Sequence, residues 1–176
     1  MSIERNSERN TERSINTTNS KNKGARPVVA NKNFAQTDTV EIARHFTQTG
    51  KNPLDAVAYV KSSSKIKNTD GSTVFEMKDV EVPGNWSQLA VDILVSKYFR
   101  KAGVPGTNHE TSVRQVVGRV AHTLRLEGEK AGYFSAVDAQ TFEDELLYLL
   151  INQMGAFNSP VWFNCGLYHA YGIEGS

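Results

Sequence analysis

Apolar and polar positions alternate in patterns that change character along the chain. Over residues 4–14 the sequence ERNSERNTERS repeats a four-residue unit, and the next dozen residues are mostly Asn, Thr, Ser and Lys. Nothing apolar recurs there at helical spacing, so ordering the segment would cost backbone entropy that no core offsets. Residues 1–33 are therefore expected to be a disordered, polar and basic tail, with order beginning near Phe34. Val40, Ile42, Ala43 and Phe46 follow Asp38 at mixed spacing, and Gly50 offers a stop; the pattern predicts a short helix over residues 38–50. Residues 56–67 and 73–82 are then rich in β-branched and aromatic residues. The Asp70-Gly71 turn signal between them predicts a β-hairpin, closed by Pro83-Gly84.

Three helical patterns follow. Asn85 and Gln88 stand at capping-box spacing ahead of the first, in which Leu89, Ile93, Val95 and Phe99 point to several sides and predict a largely buried helix. GVPGTN, residues 103–108, breaks it. Ser112 and Gln115 open the second, whose Val113, Val116, Val117, Val120 and Leu124 form one stripe; Arg125, Lys130 and Gly132 suit its C-terminal end. Ser135 or Asp138 opens the third, with Phe142, Leu146, Leu149, Leu150 and Gln153 on a shared face and Gly155 as its limit. Glu143, Asp144 and Glu145 read as a solvated face near the positive end of its dipole.

AFNSPVWFNCG, residues 156–166, breaks the periodic pattern. It sets two Asn, a Ser and a Pro within an apolar run, and buried polar groups need partners, so the segment suits the lining of a site better than a core. Pro160 lacks an N–H and restricts Ser159 to extended backbone, which predicts a strand. Phe157, Ser159, Val161 and Phe163 would face one way and Asn158, Pro160, Trp162 and Asn164 the other. Mixed faces of this kind fit a strand covered on both sides within a larger sheet. The sequence stops at Ser176, ten residues past Gly166, and the site is expected to be completed by residues outside it.

Composition narrows the function classes. With 176 residues, 39% hydrophobic, there is room for one domain and a tail. The formal charge of +1 does not favour nucleic acid or membrane as a partner. The balance is uneven: residues 1–32 carry seven basic side chains against three acidic, and the remainder 13 against 16. The single cysteine excludes an intrachain disulfide, and no signal-peptide core or long apolar run is present, which together suggest a cytoplasmic protein. Lone Cys165 reads as a packing residue, because a redox pair needs a second thiol. His45, His109, His122 and His169 are scattered and define no metal site. Gly103, Gly106 and Gly118 lack the spacing of a phosphate-binding loop.

FNSPVWFN after a helix ending in INQMG, preceded by VFEMKDVEVPGNWSQLAVDILVSKYF and SVRQVVGRV, closely resembles the N-terminal part of class II, adenosylcobalamin-dependent ribonucleotide reductases, from about residue 34 onward. The resemblance implies an α+β fold. A mainly helical N-terminal domain with a β-hairpin, residues 34–155, would lead into residues 156–176, the first strand and following loop of an incomplete ten-stranded α/β barrel. It implies a fragment of a ribonucleoside-diphosphate reductase, in which cobalt–carbon homolysis in adenosylcobalamin generates a cysteine thiyl radical and a cysteine pair supplies electrons. Those cysteines, and most of the cobalamin site, would lie outside this chain. The partners it implies are the remainder of the catalytic chain and a ribonucleotide substrate, with no membrane. It implies one substrate contact here, Ser159, with Asn158 as a secondary candidate. A hydroxyl can donate to a phosphate or ribose oxygen without adding charge; the local alternative is a hydroxyl that bonds its own turn backbone. Cys165 departs from the small apolar residue, such as valine, that relatives carry there. The alternative function is a non-catalytic helical module, a reductase remnant that binds a protein or nucleic acid.

Overall fold

The computed structural model describes residues 39–174, so the expected tail and the start of order at Phe34 lie outside the described residues. Two antiparallel strands, β1 (Tyr59–Lys67) and β2 (Thr73–Pro83), form the predicted hairpin. Its turn is set by Gly71 at φ 85° and by Asp70, whose carboxylate accepts from the Ser72 N–H at 2.8 Å. A bulge lies between Ser62 and Ser64, opposite Asp79 at φ 58°. It leaves the Ser63 carbonyl to accept from Gln88 Nε2 at 3.0 Å, which ties the next helix to the hairpin.

That helix, α1 (Gln88–Ile93), is capped by Ser87, which accepts from the Ala90 N–H, and not by Asn85. It runs into a π-helical turn, Leu94–Tyr98, in which the Phe99 N–H reaches back five residues to the Leu94 carbonyl at 3.1 Å. The turn shifts the register, so Val91, Leu94, Val95 and Phe99 are buried while Leu89 is 69% and Ile93 41% exposed. The largely buried helix expected from the sequence is thus buried on one side only.

Helix α2 (Val113–Lys130) has the predicted capping box: Ser112 Oγ accepts from the chain ahead and Gln115 Oε1 accepts from the Ser112 N–H at 3.0 Å. Its valine stripe is the centre of the core, with Val113, Val116, Val117 and Val120 at 0 to 1% exposure. Val80 and Val82 of β2, the buried side of α1, and Leu147, Leu150 and Ile151 of helix α3 (Ala136–Ile151) pack around it. Each fully buried aliphatic side chain is worth about 1.5–3 kcal/mol. Trp86 Nε1 donates to the Ile151 carbonyl at 2.9 Å and joins the hairpin exit to the end of α3.

The buried stripe of α3 contains Ala139, Thr141, Asp144, Leu147 and Leu150, a face rotated from the one the apolar residues predicted. The acidic trio explains the rotation, because it is not a solvated face. Residues 39–52 cross α3 as an irregular strap, where a helix was expected, and carboxylates take the backbone donors such a helix would have used internally. The Ile42 N–H bonds Asp138 at 3.0 Å. Glu145 accepts from the N–H groups of His45, Phe46 and Thr47 and from the Thr47 hydroxyl at 2.6 Å. Burial pushes the Glu145 carboxyl up, but these bonds outweigh it and hold it below its ordinary range. Asp144 pairs with Arg44 at 2.6 Å, and Glu143 meets His122 at 3.0 Å.

After α3 the chain forms two short helices, α4 (Ser159–Asn164) and α5 (Leu167–Tyr171). The strand predicted from Phe157 to Asn164 is not formed, and Ser159–Asn164 are helical instead. Pro160 sits in the first turn of α4, where the missing N–H would have had no intrahelical acceptor; Ser159, expected to be extended, is the first helical residue, and the extended residue is the N-cap Asn158. Among the described residues no helix is long and apolar enough to cross a membrane.

Candidate functional site

The segment around Ser159 is held by a charge that the sequence patterns did not single out. Arg119 lies on the core face of α2, one residue before Val120, with its side chain 1% exposed. Its Nε donates to Glu110 at 2.8 Å, and the Glu110 side chain is 0% exposed. The other two arms reach main-chain carbonyls: Nη1 to Cys165 at 2.7 Å, Nη2 to Trp162 at 2.8 Å and to Tyr98 at 3.1 Å. The second Glu110 oxygen accepts from the Arg100 N–H at 2.7 Å, and the first also from the Tyr171 hydroxyl at 2.8 Å. Burial and the adjacent Glu110 charge push the Tyr171 phenol well above its ordinary range, so it remains a donor. One ion pair thus ties α2, the π turn, α4 and α5 together.

Gly166 makes the close approach possible. It is left-handed, at φ 83°, and a Cβ there would lie 2.2 Å from the Arg119 carbonyl oxygen. Trp162 is buried, its ring tilted against Tyr98 with centroids 6.3 Å apart, and Phe157 meets Trp162 edge-on at 6.0 Å. Phe163 remains 46% exposed.

Ser159 is half-buried at the start of α4, and its Oγ lies 2.9 Å from the Tyr98 hydroxyl. Its hydroxyl is therefore engaged by a side chain 61 residues away. Asn158 is exposed and its side chain makes no capping bond. Cys165 is half-buried; burial raises its thiol, with Arg119 acting against the rise, and a protonated thiol is a poor nucleophile. The histidines are apart: His122 bonds Glu143, and His169 lies 3.5 Å from Glu127. Among the described residues no three His, Cys, Asp or Glu side chains are grouped to hold a metal. An open groove of about 520 Å³ lies away from Ser159, lined by Phe46, Thr47, Lys51, Asn52, Pro53 and Tyr148.

The resemblance brought Ser159 and Asn158 forward, and neither it nor the sequence patterns singled out Tyr98, Glu110, Arg119 or Tyr171. Arg119 lies at the flank of the valine stripe, beside Val116, where spacing alone does not decide between core and surface.

Residues 60–153 match the family described as class II vitamin B12-dependent ribonucleotide reductase. Among curated proteins, the vitamin B12-dependent ribonucleotide reductase of Agrobacterium fabrum is 40% identical to this chain over 169 residues, covering 77% of it, and that of Bradyrhizobium diazoefficiens is 41% identical over the same length and share. The Rhodopirellula baltica protein of that name is 43% identical over 127 residues, or 72% of this chain. The chain spans only 12 to 14% of the length of these relatives. The hairpin from Val60 onward, α1, α2 and α3 lie within the matched residues, and the chain belongs to the class II, vitamin B12-dependent ribonucleotide reductase family.

Proposed function

We propose that this chain forms the N-terminal part of an adenosylcobalamin-dependent reductase that converts ribonucleotides to deoxyribonucleotides. Its own contribution is a scaffold and one substrate contact, the Ser159 hydroxyl, with Asn158 beside it. The observation that carries this role is the mounting of Ser159: a half-buried hydroxyl, paired with Tyr98, on a short helix whose far end is clamped by a fully buried guanidinium. A hydroxyl left at a surface for solvent would not need such support. Pre-positioned polar groups are what small-ligand sites use to fix orientation.

The residues here do not fit cobalamin. The histidines, which could reach a cobalt, are dispersed, and the two that bond carboxylates lie on the α2–α3 and α2–α5 surfaces. The groove of about 520 Å³ is open and too small for a corrin with its nucleotide loop. The cofactor is therefore assigned to the remainder of the enzyme, as are the redox cysteines, since Cys165 has no second thiol to pair with.

Ser159→Ala in the complete reductase that houses this segment tests the contact. The expected result is an increase in nucleotide Kd of about 3- to 10-fold, the scale of one lost hydrogen bond, with the melting temperature nearly unchanged. Wild-type affinity in the variant would refute the role. Supplying this chain and the complementary polypeptide separately tests the division of labour: cobalamin-dependent turnover is expected only from the mixture.

A further inference from the structure

We infer that Tyr98 is a positioning residue that orients the Ser159 hydroxyl as a donor toward a ligand oxygen. The inference rests on the substrate-contact role of Ser159 and adds the group that gives it direction. The two hydroxyl oxygens are 2.9 Å apart and either could donate. Their chemistry is unequal. A phenol is far more acidic than an aliphatic alcohol, hence the stronger donor and the weaker acceptor. With Tyr98 donating, the Ser159 proton is left free, and a hydroxyl that already accepts a bond is polarised into a better donor. The opposite direction would leave Ser159 with lone pairs alone, which repel the oxygens of a phosphate.

Tyr98 is itself fixed by contacts independent of the hydroxyl pair. It is the last residue of the π-helical turn that closes the helix, Phe99 beyond it being extended, so the wider turn sets the direction in which Tyr98 leaves the core edge. Here Phe99 takes the buried position and Tyr98 lies half-buried at the core edge, its ring 5.2 Å from that of Phe163. Its carbonyl is gripped by Arg119, the same guanidinium that holds the Trp162 and Cys165 carbonyls of α4 and its exit. Donor and acceptor thus hang from one buried anchor, which keeps their separation constant. The chain Tyr98 O–H to Ser159 O–H to ligand oxygen is pre-aligned before a nucleotide arrives.

The test uses the complete reductase, titrated with CDP and with CTP. Tyr98→Phe keeps the ring and removes only the proton donor. Affinity for one or both nucleotides is expected to fall about 3- to 10-fold, and Tyr98→Phe combined with Ser159→Ala is expected to bind no more weakly than Ser159→Ala alone. A second measurement replaces Tyr98 by a fluorinated tyrosine whose phenol ionises in a workable pH range. Its affinity should fall as pH rises through that ionisation, because a phenolate cannot donate, and the fall should shrink when Ser159→Ala is added; charge repulsion from a purely structural tyrosine would persist in that background. Should Tyr98→Phe fail to fold, that profile decides alone. If Ser159→Ala weakens binding but Tyr98→Phe and the fluorinated enzyme match the wild type, or if the two losses add, the positioning role is wrong and the Ser159 contact stands. If Ser159→Ala binds like the wild type, the contact and the positioning role fall together.

Discussion

Loss of the Arg119 guanidinium is expected to be the costliest single side-chain change in the folded segment. Arg119→Met keeps most of the apolar stem and removes every donor. Glu110 would then be a buried carboxylate, 0% exposed, left with the Tyr171 hydroxyl and the Arg100 N–H and no cation bonded to it. Breaking a buried pair from one side costs about 3–5 kcal/mol. The carbonyls of Tyr98, Trp162 and Cys165 lose their donors as well, but these losses do not simply add, since Glu110 can take up a proton and relieve the charge. The total stays near about 3–5 kcal/mol, which for a chain of this size corresponds to a fall in Tm of about 6–20 °C. Urea unfolding followed by the fluorescence of Trp86 and Trp162 measures it, and hydrogen exchange at the Cys165 and Ala170 amides shows whether α4 and α5 loosen first. Arg119→Met with Glu110→Leu removes the stranded charge and should recover part of the loss, leaving the cost of the orphaned carbonyls. A fall below about 1 kcal/mol, or unchanged exchange over residues 159–171, would show that the clamp does not hold the segment.

Gly166→Ala places a Cβ against the Arg119 carbonyl at 2.2 Å in a left-handed residue, whereas Gly172→Ala, at φ 68°, meets open space. Gly172→Ala should cost about 1 kcal/mol and Gly166→Ala distinctly more, by the same urea midpoint. Glu145→Gln weakens a charged acceptor of three backbone N–H groups, and exchange at amides 45–47 should accelerate about 10-fold or more. In the parent the folded Glu145 carboxyl is depressed, so its stabilisation is complete above the ordinary carboxylate range and disappears as pH falls through the lowered value; the variant should lose that acid-side slope. Lys101 shifts oppositely: burial lowers its ammonium to about 8, against the Glu110 charge, although it faces the Phe75 ring at 4.7 Å. The unfolded chain then holds more protons between about 8 and 10, and stability should rise with pH across that window. Lys101→Met should flatten the rise. Above it Tyr59, pushed up by burial to about 12, acts in the opposite sense.

The periodic parts of the chain were legible because local and tertiary signals agreed. The Asp70-Gly71 turn, the Ser112–Gln115 box and the valine stripe of α2 each came out as their residue types predict. Legibility failed where backbone donors are satisfied by distant side chains. Residues 39–52 have the composition of a weak helix, but their N–H groups are met by Asp138 and Glu145 from about a hundred residues away, which no local pattern reveals. Glu145, with Glu143 and Asp144, looked like a solvated face because a helix-dipole argument already accounted for the three. Pro160 misled for another reason: its restrictions exclude the helix interior and fit the first helical turn as well as a strand. Ser159 was found by the resemblance, while Tyr98 needed the structure, because the π turn displaces it from the face an unbroken α-helix would give it.

The use of an arginine at position 119 follows from the irregularity of the segment it supports. Two helices as short as α4 and α5 leave carbonyls without intrahelical donors at the junction between them, and this junction is pressed against α2 at Gly166. Water does not reach the Arg119 head group, 1% exposed, so the donors must come from the protein. A lysine would offer one mobile ammonium; a guanidinium offers five donors in a rigid plane, enough to serve Glu110 and three carbonyls at once. Charging the core is tolerable only because Glu110 neutralises the guanidinium on the spot.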